Sequence, residues 1–177
     1  MSYVPYSCDL DPETKTTLKV YLFKNVENVE EIRGNVISGS WKCAVIKPSL
    51  ILDIFQVVVA ANKAVVAEKS QAMVTRTVYT EILFNLSLSK NITQSLSKFG
   101  VEKDQTLLVC FLITHEGDES ESIVAQIKGE MSPISELEKF TDITQVKSAY
   151  KLNNLKSNVD LLDVIVAKIV TKNFVAH

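Results

Sequence analysis

Histidine is nearly missing from this 177-residue chain: there are two, His115 and His177. A nucleophile–histidine pair needs an imidazole held by rigid neighbours. His115 sits in the acidic run His115-Glu-Gly-Asp-Glu-Ser-Glu121 and His177 is the final residue, so no catalytic residue is assigned. Glycine is scarce too. The five, Gly34, Gly39, Gly100, Gly117 and Gly129, cannot assemble GxxxxGK(S/T) or GxGxxG, so a glycine-rich nucleotide cradle is excluded. The three cysteines, Cys8, Cys43 and Cys110, show no CxxC spacing, and no metal site is expected. Odd in number and far apart, they read as reduced thiols of the cytosol or nucleus. The amino terminus has neither the basic nor the apolar region of a secretion signal. No uncharged apolar run reaches the roughly 18 residues of a membrane span, so no membrane partner is expected.

A surplus of positive charge is also missing. Lys+Arg number 19 against 21 Asp+Glu, for a net charge of -2. That argues against a protein that coats duplex nucleic acid by charge alone, and leaves room for a local basic site. Only two of the basic residues are arginines, Arg33 and Arg76. What the chain does have is apolar residues, 46% of the total, enough for one domain over residues 1–177 to bury a core. The composition favours a binding or scaffold protein over an enzyme, with no cofactor.

The patterns are those of a mixed chain. Residues 15–24 alternate, with Leu18, Val20 and Leu22 on one face and Lys19, Tyr21 and Phe23 on the other, which predicts a strand. Residues 27–38 have helical spacing with acidic residues near the start, and Gly39 ends them. Pro48 stops helix before it. Asp53 then caps a helix over 54–69 that is apolar on nearly every side, with Ala60, Ala61, Ala64 and Ala67 allowing close packing. A break at 70–77 precedes a helix over 78–86 with Tyr79, Ile82, Leu83 and Leu86 inward. Thr77, Glu81 and Asn85 share another stripe. Asn91-Ile-Thr-Gln94 resembles a capping box opening a helix with Ile92, Leu96 and Phe99 inward and Gly100 at its end. Residues 106–114 predict a central strand buried on both faces, and alternating Ile123, Ala125 and Ile127 predict its hairpin partner. Short helices are expected over 134–140 and 143–150.

The last element, residues 159–172, carries more apolar surface than one face needs. Leu162, Ile165, Val166 and Ile169 make one face, while Leu161, Val164 and Val170 lie off it. Either the protein's own sheet and helices cover the remainder, or a partner does.

The segments PSLILDIFQVVVAANKAV and MVTRTVYTEILFNLSLSKNITQSLSKFGV, with an early LFKNV, a later ITQVKSAYKL and the apolar C-terminal helix, resemble the PRPK-binding protein family. These are the small kinase-associated subunits of the KEOPS (EKC) complex. The resemblance implies an α/β fold of α+β type, a mainly antiparallel sheet packed with helices and ending in a C-terminal helix. It implies a non-catalytic subunit that binds the atypical kinase/ATPase subunit and, through it, the threonylcarbamoyl transferase that modifies tRNA to threonylcarbamoyladenosine. It places the protein in nucleus and cytoplasm. Archaeal members also hold the single-stranded CCA tail of tRNA. The family often has a lysine just before the TRT, where this chain has Val74.

Three readings follow. In the first, Leu161, Leu162, Val164, Ile165, Val166 and Ile169 form the kinase-binding surface. In the second, Asn62, Lys63, Arg76 and Thr77 form a tRNA site, since arginine both stacks on a base and grips a phosphate. This also covers a stand-alone single-stranded RNA module without a kinase. Its structural competitor has Arg76 paired with Glu81 or capping a helix, and Thr77 as a helix N-cap. In the third, an enzyme, Lys63 and Glu81 are the only acid/base pair on offer.

Overall fold

The alternation around Leu18 builds the strand on which the other strands are laid. The computed structural model describes residues 3–156 and 159–175. A short strand Tyr6–Asp9 (β1) leads into Thr17–Lys24 (β2), and helix Val29–Ile37 (α1) and strand Ala44–Ile46 (β3) follow. Helices Ile54–Lys69 (α2), Val78–Leu86 (α3) and Ile92–Phe99 (α4) precede the central strand Leu107–Ile113 (β4). Then come a short helix Ser120–Val124 (α5), strand Glu130–Ser132 (β5), helix Ile143–Ala149 (α6) and helix Leu161–Thr171 (α7). The strands form one antiparallel sheet in the order β1-β2-β4-β3. β1 pairs with the first half of β2 and β5 with Leu22–Lys24, both on the edge of β2 away from β4. This is an α+β fold.

Period-two alternation divides the core. Leu18, Val20, Leu22, Ala44, Ile46, Leu108 and Cys110 face α2, α3, α6 and α7. Tyr21, Phe23, Val45, Val109 and Phe111 face Ile32 of α1, Trp41 and Ile123. Both faces of β2 and β4 are therefore covered, as continuous apolar runs require. On α2, Ala60, Ala61 and Ala64 are fully buried, so α3 packs closely against it.

Local signals set the helix ends. The Asp53 carboxylate accepts the Phe55 N–H at 2.9 Å. Gly39, at φ +83°, ends α1 in the left-handed region open to glycine. Gly100 closes α4 for a different reason: its backbone is extended, but a Cβ there would lie 2.5 Å from the Leu96 carbonyl oxygen. Asn91 accepts the Gln94 N–H at 2.9 Å, but the Gln94 side chain accepts from Ser89 Oγ, so only half the capping box forms.

Two expectations need correcting. Residues 123–127 are not a strand. β4 pairs along its length with β2 and over Leu108–Cys110 with β3, and Asp118 accepts the Ser120 N–H at 2.9 Å at the start of α5. The Ile123/Ile127 spacing of four serves a helical turn equally well. In α4, Ile92 is exposed, and Ser95 is buried beside Phe99 because its hydroxyl donates to the Ser89 and Asn91 carbonyls. Residues 134–140 form a 3₁₀ helix over Ile134–Lys139.

Tyr150, just past α6, is fully buried. Its hydroxyl donates to the Leu86 carbonyl at 2.6 Å and accepts from Gln56 Nε2 at 2.7 Å, tying α6 to α3 and α2. Tyr150→Phe leaves that carbonyl without its donor, with an expected loss of about 1–3 kcal/mol in urea unfolding. A change within a few tenths of a kcal/mol would show that the bridge contributes nothing.

Candidate partner interface and arginine loop

Asp160 starts α7 by accepting the Leu162 N–H at 2.9 Å. Ile165 and Ile169 are fully buried, and Leu161 and Val164 pack beside them on the main core. Leu162 and Val166 are half-buried and belong to neither core cluster. With Val170, 47% exposed, they form an outer row at spacing four. Phe174, 84% exposed, lies just past its end. The helix is thus rotated from the expected face: Leu161 and Val164 turn inward, and Leu162 and Val166 turn outward.

Two lysines fix that rotation. Lys172, one residue past α7, is fully buried; its Nζ donates to the Phe84 carbonyl at the end of α3 and lies 3.4 Å from the Phe84 ring centroid. Lys63 of α2 donates to the Ile169 carbonyl at 2.7 Å. Burial lowers the Lys172 ammonium to about 7, and nearby Lys63 and Lys90 push the same way against Glu81. Burial also lowers Lys63, opposed by Glu81.

The break between α2 and α3 is a fixed loop. Glu81, 3% exposed, accepts the Val74 N–H at 3.1 Å and the Thr75 N–H and hydroxyl at 2.8 Å each. Thr77 and Thr80 form a reciprocal capping box at the start of α3. With Glu81 held by Val74 and Thr75, Arg76 is exposed and makes no ion pair among the described residues. It stands with Thr77 at a largely apolar groove of about 390 Å³ lined also by Trp41, Lys42, Met73 and Tyr79. Asn62 and Lys63 do not line it: Asn62 accepts the Asp11 N–H at 2.9 Å, and Lys63 is held by α7. The structure brings two of the four candidate RNA residues together and gives the other two bonds inside the fold.

Residues 23–173 match the family described as kinase binding protein CGI-121, a span that takes in both the arginine loop and α7. The chain belongs to that family. It is 33% identical to the EKC/KEOPS complex subunit TPRKB of Danio rerio over 169 residues, 93% of this chain and 96% of that protein. It is 31% identical to the EKC/KEOPS complex subunit CGI121 of Yarrowia lipolytica over 162 residues, 89% and 93% of the two chains. The corresponding Candida glabrata subunit is 28% identical over 140 residues, 77% and 79%.

In this CGI-121 chain, the Lys63–Glu81 pair weighed as acid and base is turned to backbone partners. His115 is exposed, and His177 lies outside the described residues. Trp41 and Met73 of the groove were missed by sequence reasoning. The available signal was that the chain's one tryptophan follows a helix-ending glycine.

Lys172 gives the protein a pH signature. The unfolded amine holds its proton to about pH 10.4, while the folded one sheds it near 7. Between those values the unfolded chain binds the extra proton, so stability rises with pH. From pH 7 to 9, wild type is expected to gain on Lys172→Met by on the order of 1 kcal/mol per pH unit. A pH-independent difference in urea unfolding would place this amine in water.

Proposed function

We propose that this chain, acting as one kinase-binding domain over residues 1–177, is a non-catalytic subunit of an EKC/KEOPS complex in nucleus and cytoplasm. There it binds the atypical kinase/ATPase subunit and, through it, supports the transferase in tRNA threonylcarbamoyladenosine modification. The observation that carries this reading is the outer row of α7, Leu162, Val166 and Val170, continued by exposed Phe174, on a helix whose opposite side is already buried. An apolar helix row is the surface that a partner groove or helix covers. The relatives' names supply the complex, and the family's description supplies the kinase. Of the six candidate kinase-binding residues, Leu162 and Val166 meet the partner, while Leu161, Val164, Ile165 and Ile169 hold the helix in place.

A charge on the outer row is expected to abolish kinase co-purification without unfolding the subunit. Val166→Arg with Val170→Arg removes about 2 kcal/mol or more from the interface if these are central contacts. Val164→Arg, on the inner side, is expected to lower the unfolding midpoint instead. Undiminished co-purification by the folded double variant would overturn the assignment.

Arg76, exposed on its fixed loop and without an ion pair among the described residues, favours a second, compatible reading. The groove of Trp41, Met73 and Tyr79 takes the unpaired end of a tRNA, with the guanidinium on its phosphate or base. Filter binding of tRNA with and without its CCA end is expected to show a preference that Arg76→Ala removes. Equal binding by both proteins would end this reading. CCA-dependent binding with no kinase capture would favour the stand-alone RNA module.

A further inference from the structure

The arginine loop and α7 meet behind α3, through three charged side chains. The α2–α3 hairpin is antiparallel. Tyr150 Oη bridges Gln56 Nε2 and the Leu86 carbonyl, and further along Asn85 Nδ2 donates to the Ala60 carbonyl at 3.1 Å. Glu81 is one turn back along α3 from Asn85, and Lys63 is nearly one turn on along α2 from Ala60, so the two stand abreast. Phe84, whose carbonyl takes the Lys172 ammonium, is three residues on from Glu81 and therefore its neighbour on α3.

Glu81, Lys63 and Lys172 each have a backbone partner, and the partners belong to different surfaces. Glu81 holds Val74 and Thr75, the residues just before Arg76. Lys63 holds Ile169 and Lys172 holds Phe84, which together fix the end of α7. Neither ammonium closes an ion pair on Glu81 among the described residues. Glu81 is nonetheless the carboxylate whose field favours the charge on both, while Lys90 opposes it at Lys172. Glu81 and Lys172 are both buried, so salt screens that attraction little. Removing one member of such a group leaves the others buried with less compensation.

We propose that Glu81 couples the arginine loop to α7: a partner that covers α7 tightens the loop, and a ligand on the loop strengthens the hold on α7. This rests on the reading of α7 as the partner surface. The route is short. A partner on the outer row holds Ile169 and Lys172 in place, and with them the Lys63 and Lys172 ammonium groups. Fixed cations stabilise the buried carboxylate, and a charged carboxylate grips the Val74 and Thr75 N–H groups harder than a neutral one. Arg76 follows Thr75 directly, so its position at the groove is set by that grip. A coupling between two binding sites acts equally in both directions and commonly changes affinity by about fivefold or more.

The test is amide hydrogen exchange, read by NMR on the full ¹⁵N-labelled chain at pH 6, where Lys172 keeps most of its proton. Lys63→Met removes a cation whose own bond is to α7 and not to the loop. It is expected to speed exchange at Val74 and Thr75 about tenfold. Ile32 of α1, on the other face of the sheet, is expected to stay unchanged. Lys63→Arg, which keeps the charge, is expected to keep the protection. In a Glu81→Gln background, Lys63→Met is expected to have no further effect at the two loop amides. If Glu81→Gln does not fold, the two Lys63 variants decide alone. Unchanged exchange at Val74 and Thr75 in Lys63→Met, equal acceleration at Ile32, or equal acceleration by Lys63→Arg would each overturn the proposal. Adding the kinase subunit to wild type is expected to slow the two loop amides about fivefold or more. A bound kinase that leaves them unchanged would also overturn it. A kinase that does not bind overturns the function proposed above, and the variants still decide the coupling.

Discussion

Three carbonyl oxygens at the ends of α3 and α7 lie against neighbouring helices, and each is met by a donor from another one. Lys172 from the end of α7 answers Phe84, Tyr150 from the end of α6 answers Leu86, and Lys63 of α2 answers Ile169. A helix end leaves its last carbonyls without intrahelical partners, and burying them unanswered costs about 1–3 kcal/mol each. Phe84 and Ile169 also accept a backbone N–H, from Ser87 and Lys172, so cross-capping adds a second partner there, is the donor that Leu86 has, and fixes geometry. An apolar helix slides and rotates on an apolar bed with little penalty. One tied at Ile169 and Lys172 does not.

That tie decides which residues of α7 are offered outward. Ile165, Ile169 and Lys172 define the inner row, so Leu162, Val166 and Val170 define the outer one. A like constraint shapes the arginine loop. Buried Glu81 holds the Val74 and Thr75 backbone, and the Thr77–Thr80 box starts α3 immediately after Arg76. The guanidinium is thereby held outside, at a groove, with its usual carboxylate partner taken. Both candidate surfaces thus depend on buried polar groups whose own bonds are internal.

Much of this was legible in the sequence, and the exceptions share causes. The boundaries of α2 and α3 came through because each has a helical period and a local N-cap, Asp53 and Thr77, and β4 came through as a continuous apolar run. The strands β1, β3 and β5 have three or four residues each, too few for a period to show, and exist because β2 and β4 pair with them. Ile123 and Ile127 fit two periods, and the Asp118 carboxylate at the Ser120 N–H marks the helix start. The rotation of α7 was hidden because apolar residues flank Ile165 and Ile169 on both sides. Lysine on a helix reads as solvated, so the inward reach of Lys63 and Lys172 left no mark in the pattern. Asn62 likewise looked free to bind a ligand and is in fact the anchor of the β1–β2 turn. Arg76 and Thr77 were singled out because arginine is rare in this chain, while Trp41, distant in sequence, joins them at the groove only through the fold.

The most direct test of the account is thiol accessibility along α7. Single cysteines at positions 165, 166 and 170, in a chain with Cys8 replaced by serine, are labelled with a thiol reagent under native conditions. The account predicts fast labelling at 166 and 170 and slow labelling at 165, with the lysine-tied rotation of the helix as the cause. Fast labelling at 165 with protection at 166 would mean that α7 sits the other way round, and the outer row would cease to exist.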